Sequence, residues 1–172
     1  LLPDNDKTNE LPTRNDSTMI TRRSRARETA LQVLFEIDLV PQRDNAQRRT
    51  FLDARLKDKA SRDLAWGLVM GTMRHREDLD RRISQAADNW RITRMACVDR
   101  NVLRLAVYEL TYARDAALGI VFDEAIELAG RFGSEGSKAF VNGVLDRCRK
   151  DWESARADLG LPPLAPASGQ AG

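Results

Sequence analysis

Apolar positions in this chain recur at helical rather than alternating spacing. From about Ser24, the residues Ala26, Ala30, Val33, Leu34 and Ile37 fall on one helical face, with Glu28 and Gln32 opposite. Thr21 or Ser24 is placed to cap this helix, and Pro41 to end it. Continued backwards, the helix would set Arg23 on the apolar stripe, so Arg22 and Arg23 are expected in a flexible entry arm. A weaker amphipathic segment covers about Asp44 to Leu56. Ser61 is expected to cap the next helix, with Leu64, Ala65, Leu68, Val69, Thr72 and Met73 inward, and another carries Leu79, Ile83 and Ala87. Beyond Trp90, a helix from Val98 to Tyr112 buries Val102, Leu105, Ala106 and Leu110.

Two more helices complete the pattern. Val121, Ala125, Leu128, Ala129 and Phe132 repeat at helical steps, Asp123 and Glu124 fit a first turn, and Gly133 supplies a stop. From about Ser137, Val141, Leu145, Cys148 and Trp152 share a face. The expectation is an all-α, compact bundle of about seven helices without a fixed repeat. Residues 1–20 are polar and read as a disordered leader, residues 21–158 as the folded domain, and the proline-bearing 159–172 as a disordered tail.

Composition changes this picture little: 42% hydrophobic and 31% charged residues suit one ordinary core. Charge matters through its placement. The net charge is only +2, but Arg22, Arg23, Arg25 and Arg27 crowd seven residues that hold no acid, after an acidic leader. Arginine at a helix start opposes the helix dipole, which points to a ligand that retains it there. Guanidinium groups pair with phosphates and stack on bases, and single-stranded RNA exposes both. A second candidate is the turn from Gly133 to Asn142, where Ser137 and Lys138 offer donors. Phe140 in that turn suits either a stacking platform or the core.

Other chemistries find no support. Cys97 and Cys148 form no metal-binding pair and read as reduced thiols, and His75 has no metal-ligand partner at motif spacing. Glu109 and Glu124 read as acids satisfied by a nearby arginine such as Arg104. No phosphate-binding glycine loop, nucleophile elbow or catalytic constellation is present, so neither enzyme activity nor a cofactor or metal is expected. No apolar run approaches the roughly 20 residues of a membrane span, and a cytoplasmic protein is expected.

The string from Arg22 to Phe35 resembles the start of the NusB family of transcription antitermination proteins. The likeness continues through Trp90 and Arg94, Val98 to Leu110, Asp123 to Ala129, and Phe140 to Asp146, in family order. It implies a fold of two small helical subdomains and binding to the boxA element of nascent ribosomal-RNA transcripts. The implied partner is NusE, a small-subunit ribosomal protein, with other Nus factors and RNA polymerase engaged indirectly. By matched position, Arg22, Arg23, Arg25, Arg27, Ser137, Lys138 and Phe140 fall in RNA-binding regions, and Phe35 and Asp99 on the NusE-binding surface. Asp123, Ala117 and Gly136 depart from the family's usual Asn, Pro and acid, which bears on RNA sequence preference. The resemblance also admits two other roles. One is the RNA-binding module of a ribosomal-RNA cytosine methyltransferase, and the other a homodimer that hides the arginine face.

Overall fold

A computed structural model describes residues 14–113 and 116–158. Among them are seven α-helices and no strand: α1 (Arg14–Leu39), α2 (Asn45–Arg55), α3 (Lys59–Arg74), α4 (Arg76–Ala86), α5 (Cys97–Tyr108), α6 (Leu118–Phe132) and α7 (Ser137–Asp158). A short 3-10 turn, Ile92–Arg94, precedes α5, and a π-helical turn, Glu109–Ala113, extends it. The expected all-α bundle is the observed one.

The helices pack as two groups around α5. α1, α2 and α3 lie together, α4, α6 and α7 form the other group, and α5 touches members of both. Every residue from Asn101 to Val107 is buried, as a helix enclosed on all sides requires. One continuous apolar cluster runs from Leu34 and Val69 through Leu103 to Leu145. The predicted stripe of α1, Ala26, Ala30, Val33, Leu34 and Ile37, is buried throughout.

Helix starts depart from the sequence reading in informative ways. α1 begins at Arg14, so Thr21 and Ser24 lie inside it as non-caps and Arg22 and Arg23 belong to the rod instead of a flexible arm. The polar stretch read as leader is therefore helical from Arg14, while its first part and the predicted tail lie outside the described residues. Asp58 caps α3, accepting from the Ser61 amide and hydroxyl at 2.8 Å each, which reverses the role expected of Ser61. α6 starts at Leu118, so Asp123 and Glu124 sit beyond its first turn. Gly133 ends α6 with extended backbone, and its value lies in close approach, since a Cβ there would overlap Ser137 Oγ and the Ala129 carbonyl.

A buried polar network joins the two groups. The Asp38 side chain, 3% exposed at the end of α1, accepts from Arg100 Nε at 2.9 Å, Asn101 Nδ2 at 2.9 Å and Arg104 Nη1 at 3.2 Å. Arg104 also pairs with Asp80 of α4 at 2.6 Å. Burial works against the Asp38 charge, but the hydrogen bonds from Asn101 and Arg100 and the charges of Arg104 and Arg100 outweigh it. The carboxyl is held below its ordinary range.

Candidate nucleic-acid interface

The four arginines do not share one environment. Arg22 and Arg25, three residues apart, are exposed; Arg23 is half-buried; Arg27 is buried, 3% exposed. Arg27 Nε donates to Glu109 Oε1 at 2.8 Å and Oε2 at 3.0 Å, and Nη2 donates to Oε2 at 2.8 Å. Burial disfavours its charge, yet these bonds and the nearby Glu109 and Glu124 carboxylates hold its pKa above the ordinary arginine value. Arg27 thus fastens α1 to the π-turn after α5 and offers its guanidinium edge inward. The arginine that satisfies Glu109 is Arg27, not Arg104, and Glu124 accepts from Ser24 Oγ.

The outer arginines behave differently. Arg23 and Arg25 have no carboxylate partner among the described residues. Arg22 lies near Asp58, whose carboxyl is held low first by the two Ser61 hydrogen bonds and further by the Arg22 charge. The entry of α1 therefore presents cations whose hydrogen-bonding capacity the fold leaves largely unused.

The Gly133–Asn142 turn separates into three roles. Ser137 is buried and accepts from the Ser134 amide at 2.9 Å, so it builds the turn and has no hydroxyl facing solvent. The Ser137 and Phe140 amides are likewise used within the turn, at 3.1 Å each. Lys138 is exposed, and its stem lies over Gly130 of α6, where a Cβ would overlap it. Phe140 is half-buried, packed on the core on one side and edge-on to Trp90 on the other, with centroids 6.0 Å apart. The core reading of Phe140 therefore holds in part.

Phe35 lies further along α1, and Asp99 sits in the first turn of α5. Phe35 lines a shallow apolar pocket with Leu31, Gln32, Val98 and Phe132. Asp99, beside Val98, is 7% exposed, and its Oδ1 has no hydrogen-bond partner among the described residues. A buried acceptor without a donor beside an apolar hollow is a surface suited to a protein partner. Phe132, expected in the core, is 36% exposed at the rim.

These regions are laid out along α1. Ser24 meets Glu124, Glu28 meets Arg131 at 3.0 Å, and the pocket follows at Leu31 and Phe35. α6 runs beside α1 in the same direction. At 1.5 Å of rise per residue, Arg25 and Phe35 stand about 15 Å apart along the helix.

His75 stacks on Tyr112 at 3.7 Å, and no metal-holding group occurs among the described residues. Burial pushes the Cys148 thiol up to about 12, which makes it unreactive. No described helix is long and apolar enough to cross a membrane. The sequence reading missed Asp38, whose partners lie far along the chain, and it gave no function to Trp90, Arg91 or Arg94. The cue for the latter group was a tryptophan between two basic residues and a turn.

The NusB family model matches residues 24–150. The transcription antitermination protein NusB of Anaeromyxobacter dehalogenans is 47% identical over 146 residues, covering 84% of this chain and 96% of that protein. The protein of the same name from Bacillus subtilis is 42% identical over 134 residues, with 78% and 99% covered. Among solved structures, T. maritima NusB superposes with a TM-score of 0.69 at 34% identity, covering 79% of this chain and 96% of that one. A crystal structure of antitermination factors NusB and NusE in complex with dsRNA gives 0.70 at 32% identity, covering 77% and 98%.

Proposed function

The chain belongs to the NusB family, and from that premise we propose that it is a transcription antitermination factor binding boxA-type RNA of nascent ribosomal-RNA transcripts together with the ribosomal protein NusE. Other Nus factors and RNA polymerase are engaged through that complex. Its work is binding, without catalysis. The observation that carries this reading is the pair Arg23 and Arg25, unpaired at the entry of α1, beside an Arg27 that is fully committed to Glu109.

Each part has a task. Arg22, Arg23 and Arg25 receive phosphates, with Lys138 as a further cation. Phe140 supplies a ring for a base. Arg27 and Ser137 act as positioning residues that hold α1 and the α6–α7 turn in place. Phe35 and the Asp99 carboxylate receive NusE, the kind of partner seen with RNA in the solved relative.

Fluorescence anisotropy with a boxA RNA and a scrambled control, with and without NusE, tests the assignment. Expected are tighter binding to boxA when NusE is present, a steep salt dependence, and loss of binding in Arg22/Arg23/Arg25→Ala. Equal affinity for both RNAs under every condition would sink the boxA assignment.

A further inference from the structure

The loop between α4 and α5 holds an indole in solvent on a fixed backbone. Trp90 is 53% exposed. The two residues before it, Asp88 and Asn89, take left-handed conformations at φ 54° and 60°, which short polar side chains tolerate and which turn the chain outward. The Trp90 amide donates to the Ala87 carbonyl at 3.0 Å, and the Trp90 carbonyl accepts from Ser84 Oγ at 2.9 Å. Arg147 of α7 pins the same loop, donating to the Ala86 carbonyl at 3.0 Å and pairing with Asp88 at 2.7 Å. That pair also neutralises the loop's acid. Such an indole is presented in advance and costs little further ordering when a ligand arrives.

Its surroundings select the ligand. Arg91 and Arg94 are exposed, have no carboxylate partner among the described residues, and line one open hollow with Asp88, Asn89 and Trp90. On the other side stands the Phe140 ring. Gly143 lies three residues after Phe140 on its face of α7, Gly136 stands in the turn just before that helix, and a Cβ at either would meet nothing within 4 Å. The backbone on both sides of the ring is therefore bare, with open space where side chains would otherwise stand. Aromatic faces with free guanidinium groups beside them are the means by which proteins hold single-stranded nucleic acid.

We propose that Trp90, flanked by Arg91 and Arg94 and next to the Phe140 ring assigned above to a boxA base, forms a stacking platform for single-stranded RNA that continues beyond the boxA element. The chain then contacts a longer stretch of transcript than the element itself. This rests on the RNA-binding reading above and adds a site to it. Stacking accepts every base, so the added contact tightens binding without adding sequence preference.

The test uses the full chain saturated with NusE and three RNAs. One is the boxA core, one carries a four-nucleotide single-stranded extension at either end, and one carries the same extension without bases. Expected is an affinity about tenfold higher for the based extension at one end, regardless of its sequence. The abasic extension keeps only the phosphate share, which Arg91→Ala/Arg94→Ala removes. Trp90→Ala binds the based extension no better than the abasic one, and Trp90→Phe restores most of the gain. Gly143→Leu, which fills the open space, also abolishes it. A boxA core that fails to bind overturns the antitermination reading and this one with it. A core that binds with no gain from either extension, or a gain that Trp90→Ala retains, overturns this proposal alone. So does a Trp90→Ala variant that loses NusE affinity while keeping the extension gain, since the patch then serves a protein.

Discussion

Replacing Arg27 by alanine separates a positioning arginine from a contacting one. Arg27 is 3% exposed, and its guanidinium makes three hydrogen bonds of 2.8 to 3.0 Å to Glu109, itself 5% exposed. Removing it strands a buried carboxylate. Breaking such a pair from one side costs about 3–5 kcal/mol. At roughly 2–4 °C per kcal/mol for a chain of this size, the melting temperature should fall by roughly 6–20 °C. Arg25→Ala, at an exposed site, should change stability by under about 0.5 kcal/mol. Urea unfolding followed by circular dichroism reads both, with the slope unchanged and the midpoint moved only for Arg27→Ala. A compensated Arg27→Met/Glu109→Leu variant removes both charges and should recover most of the lost stability. It should also bind boxA RNA close to the wild-type affinity, whereas Arg25→Ala should lose affinity and flatten the salt dependence by about one phosphate contact. If Arg27→Ala melts like the wild type, or if the compensated variant loses RNA as Arg25→Ala does, then Arg27 is an RNA contact and the division is wrong.

Three further outcomes follow from the geometry. Asp38→Asn should cost at least about 1.5 kcal/mol near neutral pH, because it weakens charge-assisted bonds to Arg100 and Arg104. Since the folded carboxyl titrates below the unfolded value of about 4, that advantage is full above it and is lost as pH falls through the folded pKa. Urea midpoints of wild type and variant should therefore converge in acid, and parallel curves would refute the assignment. Gly71→Ala should destabilise by about 1–3 kcal/mol, because its methyl would overlap the Tyr108 ring. Gly67→Ala, with open space around it, should stabilise by up to about 1 kcal/mol, and thermal melts showing the two alike would contradict this packing. Phe35→Ala should weaken NusE binding about tenfold in calorimetry, and an unchanged affinity would remove the pocket from the partner surface.

The core was legible because burial leaves a periodic trace: Ala26, Ala30, Val33, Leu34 and Ile37 differ from their neighbours in the way a buried face must. The start of α1 was not. Periodicity reports an apolar stripe, and the polar residues from Arg14 to Thr18 carry none, although the helix begins at Arg14. The arginines show the same limit from the other side. Arg25 and Arg27 look alike in sequence, and what divides them is Glu109, 82 residues away. Ser61 read as a cap because its residue type allows it, but the carboxylate of Asp58 is the stronger acceptor and took the position. Trp90 read as a boundary between helices, and only the closeness of Phe140, from another helix, gives it a setting.

The uninterrupted course of α1 has a consequence for assembly. Arg25 and Phe35 are graduations on one rigid ruler, spaced by covalent geometry and not by the packing of two separate elements. One residue inserted between them would turn everything beyond it by about 100° and advance it by 1.5 Å. On the proposed assignment, a transcript held at one mark and a ribosomal protein held at the other would meet at a fixed offset, each raising the effective concentration of the other. Joint binding would then depend on the length of this helix as much as on any contact it makes.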